Sequence, residues 1–170
     1  MDLTKLTRGE KLVGASSIAL FVLSLFPLWA KYEVGAEGLG VGSSRFNAWS
    51  GAYGFYLKLG LILALVAAVL VVVRAIGKDI TLPVPLGQVY LGLMGLAALM
   101  ILIALISGPA GSGFEGFGLE VSRGPMLFVG LALAVLGALG GLMHMRDDVG
   151  PVAAPAYQSP VTPPPPPPGA

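Results

Sequence analysis

The sequence contains no cysteine among its 170 residues. Without thiols the chain has no disulfide, no thiolate nucleophile and no cysteine-ligated metal. Histidine is nearly absent too, because His144 is the only one, and one histidine cannot ligate a haem from both faces. A serine–histidine–acid set, an HExxH motif and a phosphate-binding loop are also missing. We therefore predict that the protein is not an enzyme and has no catalytic, cofactor-binding or metal-binding residues.

Charge is scarce as well. Only 11% of the residues are charged, 55% are apolar, and the mean hydropathy is +0.84, whereas about a quarter of the residues in soluble proteins are charged. Polar side chains are too few to cover the outside of a domain, so lipid must surround much of it. The net charge of +1 offers no basic stripe for nucleic acid.

What the sequence does have is long apolar stretches. Trimming four charge-free runs at glycine and proline gives spans near 12–30, 54–76, 85–107 and 125–145, each close to the about 20 residues that cross a bilayer as a helix. In the second run, 11 of the 15 residues from Leu59 to Val73 are Leu, Ile or Val. Together they favour insertion by about 3–6 kcal/mol. We predict an all-α, four-helix transmembrane bundle over residues 1–148.

The first span has an alternative interpretation as a cleaved signal peptide. Lys5, Arg8 and Lys11 would form its basic region. The apolar run is longer than the roughly 7–15 residues of a signal peptide, and Trp29 is a poor neighbour for a cleavage site. These features favour a retained helix.

No ionisable residue falls deep within a predicted span. Proton-coupled transporters and ion pathways place acidic or histidine side chains there, so the pattern argues against a small proton-driven exporter. His144 falls at the inner end of the fourth span, and we predict that it is an interfacial flanking residue.

Basic residues near the spans predict the orientation. One side of the membrane holds six basic residues, which are Lys5, Arg8, Lys11, Arg74, Lys78 and Arg146. The other side holds four, which are Lys31, Arg45, Lys58 and Arg123. Because three of the six flank the first helix, we expect both termini to be cytoplasmic, in a bacterial plasma membrane.

The outer loops predict a small cap. Alternation in residues 31–53 and the four glycines from Gly35 to Gly42 favour a β-hairpin, and Gly118 to Ser122 offers a third strand. The spacing of four aromatic residues indicates one face of a helical segment. With Trp29 they are the predicted interfacial anchor residues: Trp29, Phe46, Trp49, Tyr53 and Tyr56. The alternative is a lip that binds lipid or ligand.

Small residues four apart predict close helix packing. In the second and fourth spans these are Gly60, Ala64, Ala68, Gly130, Ala134, Gly137 and Gly141. Packing within one bundle explains them, and so does a homo-oligomer.

The tail, residues 149–170, contains six consecutive prolines near its end, Pro163 to Pro168. Such a run adopts polyproline II, and we expect the tail to be disordered. Pro160, Pro163 and Pro166 form a P-x-x-P string of the kind that aromatic grooves bind. The tail is therefore either a docking segment for a cytoplasmic partner or an end without one.

Several short motifs resemble a known group of proteins. They are Thr7-Arg8-Gly9-Glu10, Leu25-Phe26-Pro27-Leu28-Trp29, Phe46-Asn47-Ala48-Trp49, Leu82-Pro83-Val84-Pro85 and a glycine-rich last helix ending near Arg146-Asp147. Over residues 7–148 the chain resembles small uncharacterised four-helix membrane proteins of actinobacteria, although Leu28 stands where that pattern would have Pro-Trp adjacent. The resemblance implies a topology and no activity. We expect a multi-pass, non-catalytic envelope, scaffold or interaction protein; the alternative is a transport component or a subunit that binds small molecules or lipid.

Overall fold

The computed structural model describes residues 6–36, 39–78, 83–110 and 119–148. It contains four helices: α1 (Arg8–Ser24), α2 (Gly54–Ala75), α3 (Leu86–Ser107) and α4 (Pro125–Asp148). Three strands, β1 (Ala30–Ala36), β2 (Leu39–Phe46) and β3 (Leu119–Arg123), form one sheet. The chain is thus mostly helical, as expected. The proline-rich tail lies outside the described residues.

Helix α1 starts and ends earlier than predicted. It begins at Arg8 because Thr7 and Glu10 form a reciprocal capping box. It ends at Ser24, three residues before Pro27, since the residue before a proline is disfavoured in the helical conformation. The predicted span of 12–30 is therefore wrong at both ends, and residue 30 already belongs to β1.

The other three helices follow the predicted spans closely. Pro85 precedes α3 and Pro125 is the first residue of α4, where a missing backbone N–H costs nothing. Within the described residues, three helices are long and apolar enough to cross a membrane: Gly51–Ala75, Leu86–Ser107 and Pro125–Asp147. Helix α1 has 17 residues and is shorter than these.

The helices pack against one another in pairs that close a ring. Helix α1 packs against α2 and α4, and α3 packs against the same two helices. The interior contains small side chains together with Leu20, Leu61, Met94 and Ile101. Many large apolar side chains point outward instead, among them Phe55 at 68% exposure and Ile106 at 72%.

The sheet confirms the expected hairpin and its third strand. Its order is β2-β1-β3, with both pairs antiparallel. Trp29 joins the sheet to the helices: its indole N–H donates to the Leu23 carbonyl at 2.8 Å, and its own carbonyl accepts from the Tyr53 hydroxyl at 2.7 Å. Trp29 is fully buried, so it fixes the sheet over one end of the helices.

Candidate functional site

Among the described residues, a cluster of buried polar and ionisable side chains lies at the end of the helices opposite the sheet. We call it the polar cluster; it consists of Thr7, Glu10, Arg74, Tyr90 and His144. Each of the four helices contributes to it. Thr7 is the N-cap of α1 and Glu10 lies in its first turn. Arg74, Tyr90 and His144 belong to α2, α3 and α4. Glu10 and Tyr90 have no exposed surface, and His144 is 1% exposed.

Glu10 is the centre of the polar cluster. One carboxylate oxygen, Oε2, accepts the Thr7 backbone N–H at 2.9 Å. The other, Oε1, lies 2.9 Å from Nε of Arg74 and 3.7 Å from Nε2 of His144. The pair with Arg74 is close, but its geometry is that of an ion pair rather than an aligned hydrogen bond. Burying a carboxylate is costly unless it is paired and hydrogen-bonded, and Glu10 has both kinds of partner.

Thr7 connects Glu10 to His144. Its hydroxyl oxygen accepts the Glu10 backbone N–H at 3.2 Å and lies 2.9 Å from Nδ1 of His144. The direction of this hydrogen bond depends on the histidine tautomer: if the hydroxyl donates to Nδ1, the histidine proton is on Nε2, the nitrogen facing Glu10. This tautomer makes the contacts among the three side chains mutually consistent.

His144, predicted to flank the fourth span at the membrane interface, is buried within the protein. Helix α1 covers it, because Gly9 brings the two backbones together: a Cβ on Gly9 would lie 2.6 Å from the His144 nitrogen. Gly140 makes the reciprocal approach, since a Cβ on Gly140 would lie 2.8 Å from the Gly9 carbonyl oxygen. The first turn of α1 therefore shields both Glu10 and His144 from solvent.

Tyr90 closes the polar cluster from α3. Its ring lies 5.9 Å from the imidazole of His144, centroid to centroid. Its hydroxyl is buried and has no hydrogen-bond partner among the described residues. A buried hydroxyl without a hydrogen-bond partner destabilises the folded protein. Among the described residues, the Tyr90 hydroxyl is such a group.

Sequence reasoning missed Glu10 as a member of this site. The signal was present in Thr7-Arg8-Gly9-Glu10, which has the spacing of a capping box. That motif places a glutamate in the first turn but does not say which helices surround it. The sequence likewise identifies Arg74 only as a basic residue at the end of a span.

The predicted interfacial aromatic residues fall into two groups. Trp29 and Tyr53 are buried inside the protein, so other residues surround their rings, and their location at the membrane interface stays a prediction. Phe46 and Tyr56 are exposed, and Trp49 is half-buried. These residues do not share one helical face either, because Phe46 ends β2 whereas Tyr56 belongs to α2.

The predicted small residues lie between helices. A Cβ on Gly60 would approach the Ala97 carbonyl at 3.1 Å, and one on Gly141 would approach the Leu91 nitrogen at 2.5 Å. Gly130 faces the ring of Trp29, and Gly137 faces Met94 and Ser16. Three alanines of the same set are buried: Ala64, Ala68 and Ala134.

Two hollows accompany these contacts. One, about 320 Å³, lies between α1 and α2; Ala15, Ile18 and Val72 line it and Lys11 borders it. The other, about 200 Å³, lies at the sheet end beside Lys31 and Arg123.

Tyr32 is near this sheet end, and its hydroxyl donates to the Ala110 carbonyl at 2.8 Å. Burial raises the pKa of this hydroxyl.

The sequence matches no protein-family model and no curated protein. The resemblance to four-helix membrane proteins of actinobacteria therefore stays a prediction.

Proposed function

We propose that the four helices form a transmembrane bundle and that the protein is a non-catalytic interaction or scaffold protein of a bacterial plasma membrane. The observation that carries this proposal is the outer surface of the helices. Ile62, Val66, Leu99, Phe128 and Leu136 are among the exposed side chains. A soluble monomer rarely exposes apolar patches larger than a few hundred Å², whereas lipid solvates such a surface.

The interior supports the same proposal. Alanine and serine are buried between the helices, including Ala97, Ala134, Ser16 and Ser17. In lipid the hydrophobic effect does not drive helix association, so small residues and polar contacts are enriched at interfaces. The distribution of large and small side chains thus fits a membrane bundle.

The polar cluster supports the proposed sidedness. Its contacts bring the start of α1 to the ends of α2 and α4. Arg8, Lys11, Arg74 and Arg146 belong to these three helix ends. Excess basic residues are retained in the cytoplasm, so we assign this end and both termini to the cytoplasmic side.

The contacts also support a role in assembly rather than catalysis. Thr7, Glu10, Arg74 and His144 are engaged with one another across three helices. Such contacts hold the helices in one arrangement. On this proposal the bundle displays two surfaces for partners, the sheet outside and the proline-rich tail inside.

The experiment for the tail is a deletion of residues 151–170, followed by crosslinking in native membranes. Loss of a crosslinked cytoplasmic protein supports a docking tail. The matched control keeps the tail length but replaces Pro160, Pro163 and Pro166 with alanine. An unchanged set of crosslinked proteins in both variants contradicts the docking role.

A second candidate function is lipid or small-molecule binding, as a binding subunit or transport component. The hollow between α1 and α2 favours it, because apolar walls suit an acyl chain and Lys11 suits an anionic headgroup. Ala15→Phe fills the hollow at an exposed position, and Ala132→Phe adds the same ring at an exposed position on α4. Mass spectrometry of co-purified lipid should show a loss in the first variant only. Equal lipid retention in both variants contradicts this function.

A further inference from the structure

We propose that the sheet end of the protein holds a binding site for a phosphate-type oxyanion. The site is the hollow of about 200 Å³ whose lining includes Lys31, Arg45, Ser122 and Arg123. It is distinct from the polar cluster, which lies at the opposite end of the helices. The chemistry and geometry of the hollow stand on the described residues; only its placement outside the membrane rests on the proposed function.

The sheet register brings the polar side chains of this site together. Lys31 on β1 lies directly opposite Arg45 on β2 and directly opposite Ser122 on β3. Residues directly opposite one another in a sheet share a face. The row Arg45–Lys31–Ser122 therefore presents two cations and one hydroxyl side by side.

Arg123 adds a third cation to the hollow. It pairs with Ala30 in the adjacent row, whose side chains point to the opposite face of the sheet from the Lys31 row, and it lines the hollow together with Gly124 and Pro125. Pro125 begins α4, so the positive end of that helix dipole faces the same region. The groups available to an anion are therefore the cationic side chains, because Gly124 and Met126 already donate their backbone N–H groups to the Trp29 and Leu28 carbonyls.

Among the described side chains, a carboxylate neutralises one of these three cations. Glu33 pairs with Lys31, but neither Arg45 nor Arg123 forms an ion pair with a carboxylate of the described residues. Both arginines are exposed. Like charges directly opposite one another in a sheet are destabilising. Glu33 offsets the charge of Lys31, so the charges of Arg45 and Arg123 are the ones that an external anion would balance.

Phosphate is the anion that fits these groups best. The guanidinium fork matches two phosphate oxygens, and a serine hydroxyl donates to a third. The hollow is smaller than the roughly 300 Å³ at the lower limit of drug-sized sites, which favours a small anionic group. Pro27 and Leu28 form an apolar border, so the phosphate belongs either to a lipid headgroup or to a soluble molecule.

The test uses the full chain in two settings. Inorganic phosphate is titrated onto protein in zwitterionic detergent micelles, and nanodiscs of phosphatidylcholine are compared with nanodiscs that contain phosphatidylglycerol. The readouts are the dissociation constant for phosphate and the change in unfolding temperature. The variants are the double substitution Arg45→Gln with Arg123→Gln and, as a matched control, Arg146→Gln at the far end of α4, which is also exposed.

We expect the double substitution to weaken phosphate binding by about tenfold or more, since each lost charged hydrogen bond is worth that much. Arg146→Gln should bind as the wild type does. Without phosphate, Arg45→Gln alone should unfold at the wild-type temperature or above, because it removes the repulsion from Lys31. A response to phosphatidylglycerol alone assigns the anion to a lipid headgroup, and a response to inorganic phosphate alone assigns it to a soluble molecule.

The proposal is overturned if neither probe binds the wild type, or if Arg146→Gln weakens binding as much as the double substitution does. The micelle measurement needs no bilayer, so failure of the anion site and failure of the membrane proposal are separable.

Discussion

Glu10 is a single residue on which we expect the free energy of unfolding of this protein to depend strongly. Its carboxylate is fully buried and is surrounded by the Thr7 N–H, Arg74 and His144. Removing one partner of a buried pair is more harmful than never burying the pair, because the remaining charge loses its compensation. The polar cluster should therefore be sensitive to substitution out of proportion to its size.

Glu10→Ala should lower the free energy of unfolding by about 3 kcal/mol, at the low end of the range for broken buried pairs. The low end applies because the Arg74 side chain is 35% exposed and solvent compensates part of its charge. Unfolding in mixed detergent–SDS micelles, followed by far-UV circular dichroism, measures the change. Glu33→Ala is the control, and its exposed pair with Lys31 should be worth about 1 kcal/mol or less. Equal losses in the two variants would contradict the central role of Glu10.

Tyr90 and Tyr53 allow the same substitution to be made in two buried environments. Tyr90→Phe should raise the free energy of unfolding by about 1 kcal/mol, because it removes a hydroxyl without a partner among the described residues. Tyr53→Phe should lower it by about 1 kcal/mol, because that hydroxyl donates to the Trp29 carbonyl at 2.7 Å. The same unfolding assay tests both. A loss of stability in Tyr90→Phe would mean that its hydroxyl has a partner, such as a bound molecule.

At the scale of elements, glycine decides how closely the helices approach. A Cβ on Gly87 would lie 2.6 Å from the Met145 nitrogen, whereas one on Gly92 would meet nothing within 4 Å. Both residues belong to α3. The helix therefore contains one glycine that the packing requires and another that it does not.

Alanine substitution should separate the two glycines. Gly87→Ala should destabilise the protein, because the clash is with backbone atoms of α4 that cannot rotate away. Gly92→Ala should stabilise it by up to about 1 kcal/mol, the helix-propensity difference between the two residues. The unfolding midpoints of the two variants should thus move in opposite directions. Two shifts of the same sign would show that α3 and α4 do not pack as described.

The sequence predicts three of the helices better than it predicts the fourth. Helices α2, α3 and α4 are long, apolar and bounded by proline or glycine, so local pattern is sufficient to find them. The sequence predicts the end of helix α1 too late, because the apolar run continues to Trp29, whereas Trp29 lies beyond the helix and anchors the sheet. Only the capping box of Thr7 and Glu10 marks its true start.

The polar cluster could not be predicted from local pattern. The hydrogen bond between Thr7 and His144 joins residues 137 positions apart. It depends on Gly9 and Gly140 meeting face to face, which is a property of the helix arrangement. The cationic hollow is likewise a product of sheet register, since Lys31 and Arg45 become neighbours only through pairing of β1 with β2.

At the scale of the whole molecule, the proposed topology gives a prediction about sidedness. Alkaline phosphatase fused after Lys78 or after Ala170 should be inactive, and fused within residues 111–118 it should be active, because that enzyme requires export. Green fluorescent protein at the same positions should give the opposite pattern. Fusions after Lys78 and Ala170 that report different compartments would contradict the four-span topology.

The central claim is that lipid surrounds the outward faces of the helices. Because the chain has no cysteine, single cysteines at Val66, Leu99 and Leu136 allow one spin label to be placed on each of α2, α3 and α4, where these residues are exposed. Power-saturation electron paramagnetic resonance in reconstituted vesicles then compares access by oxygen with access by a water-soluble nickel chelate. We predict high oxygen access and low nickel access at all three positions. High nickel access at these positions would contradict the claim.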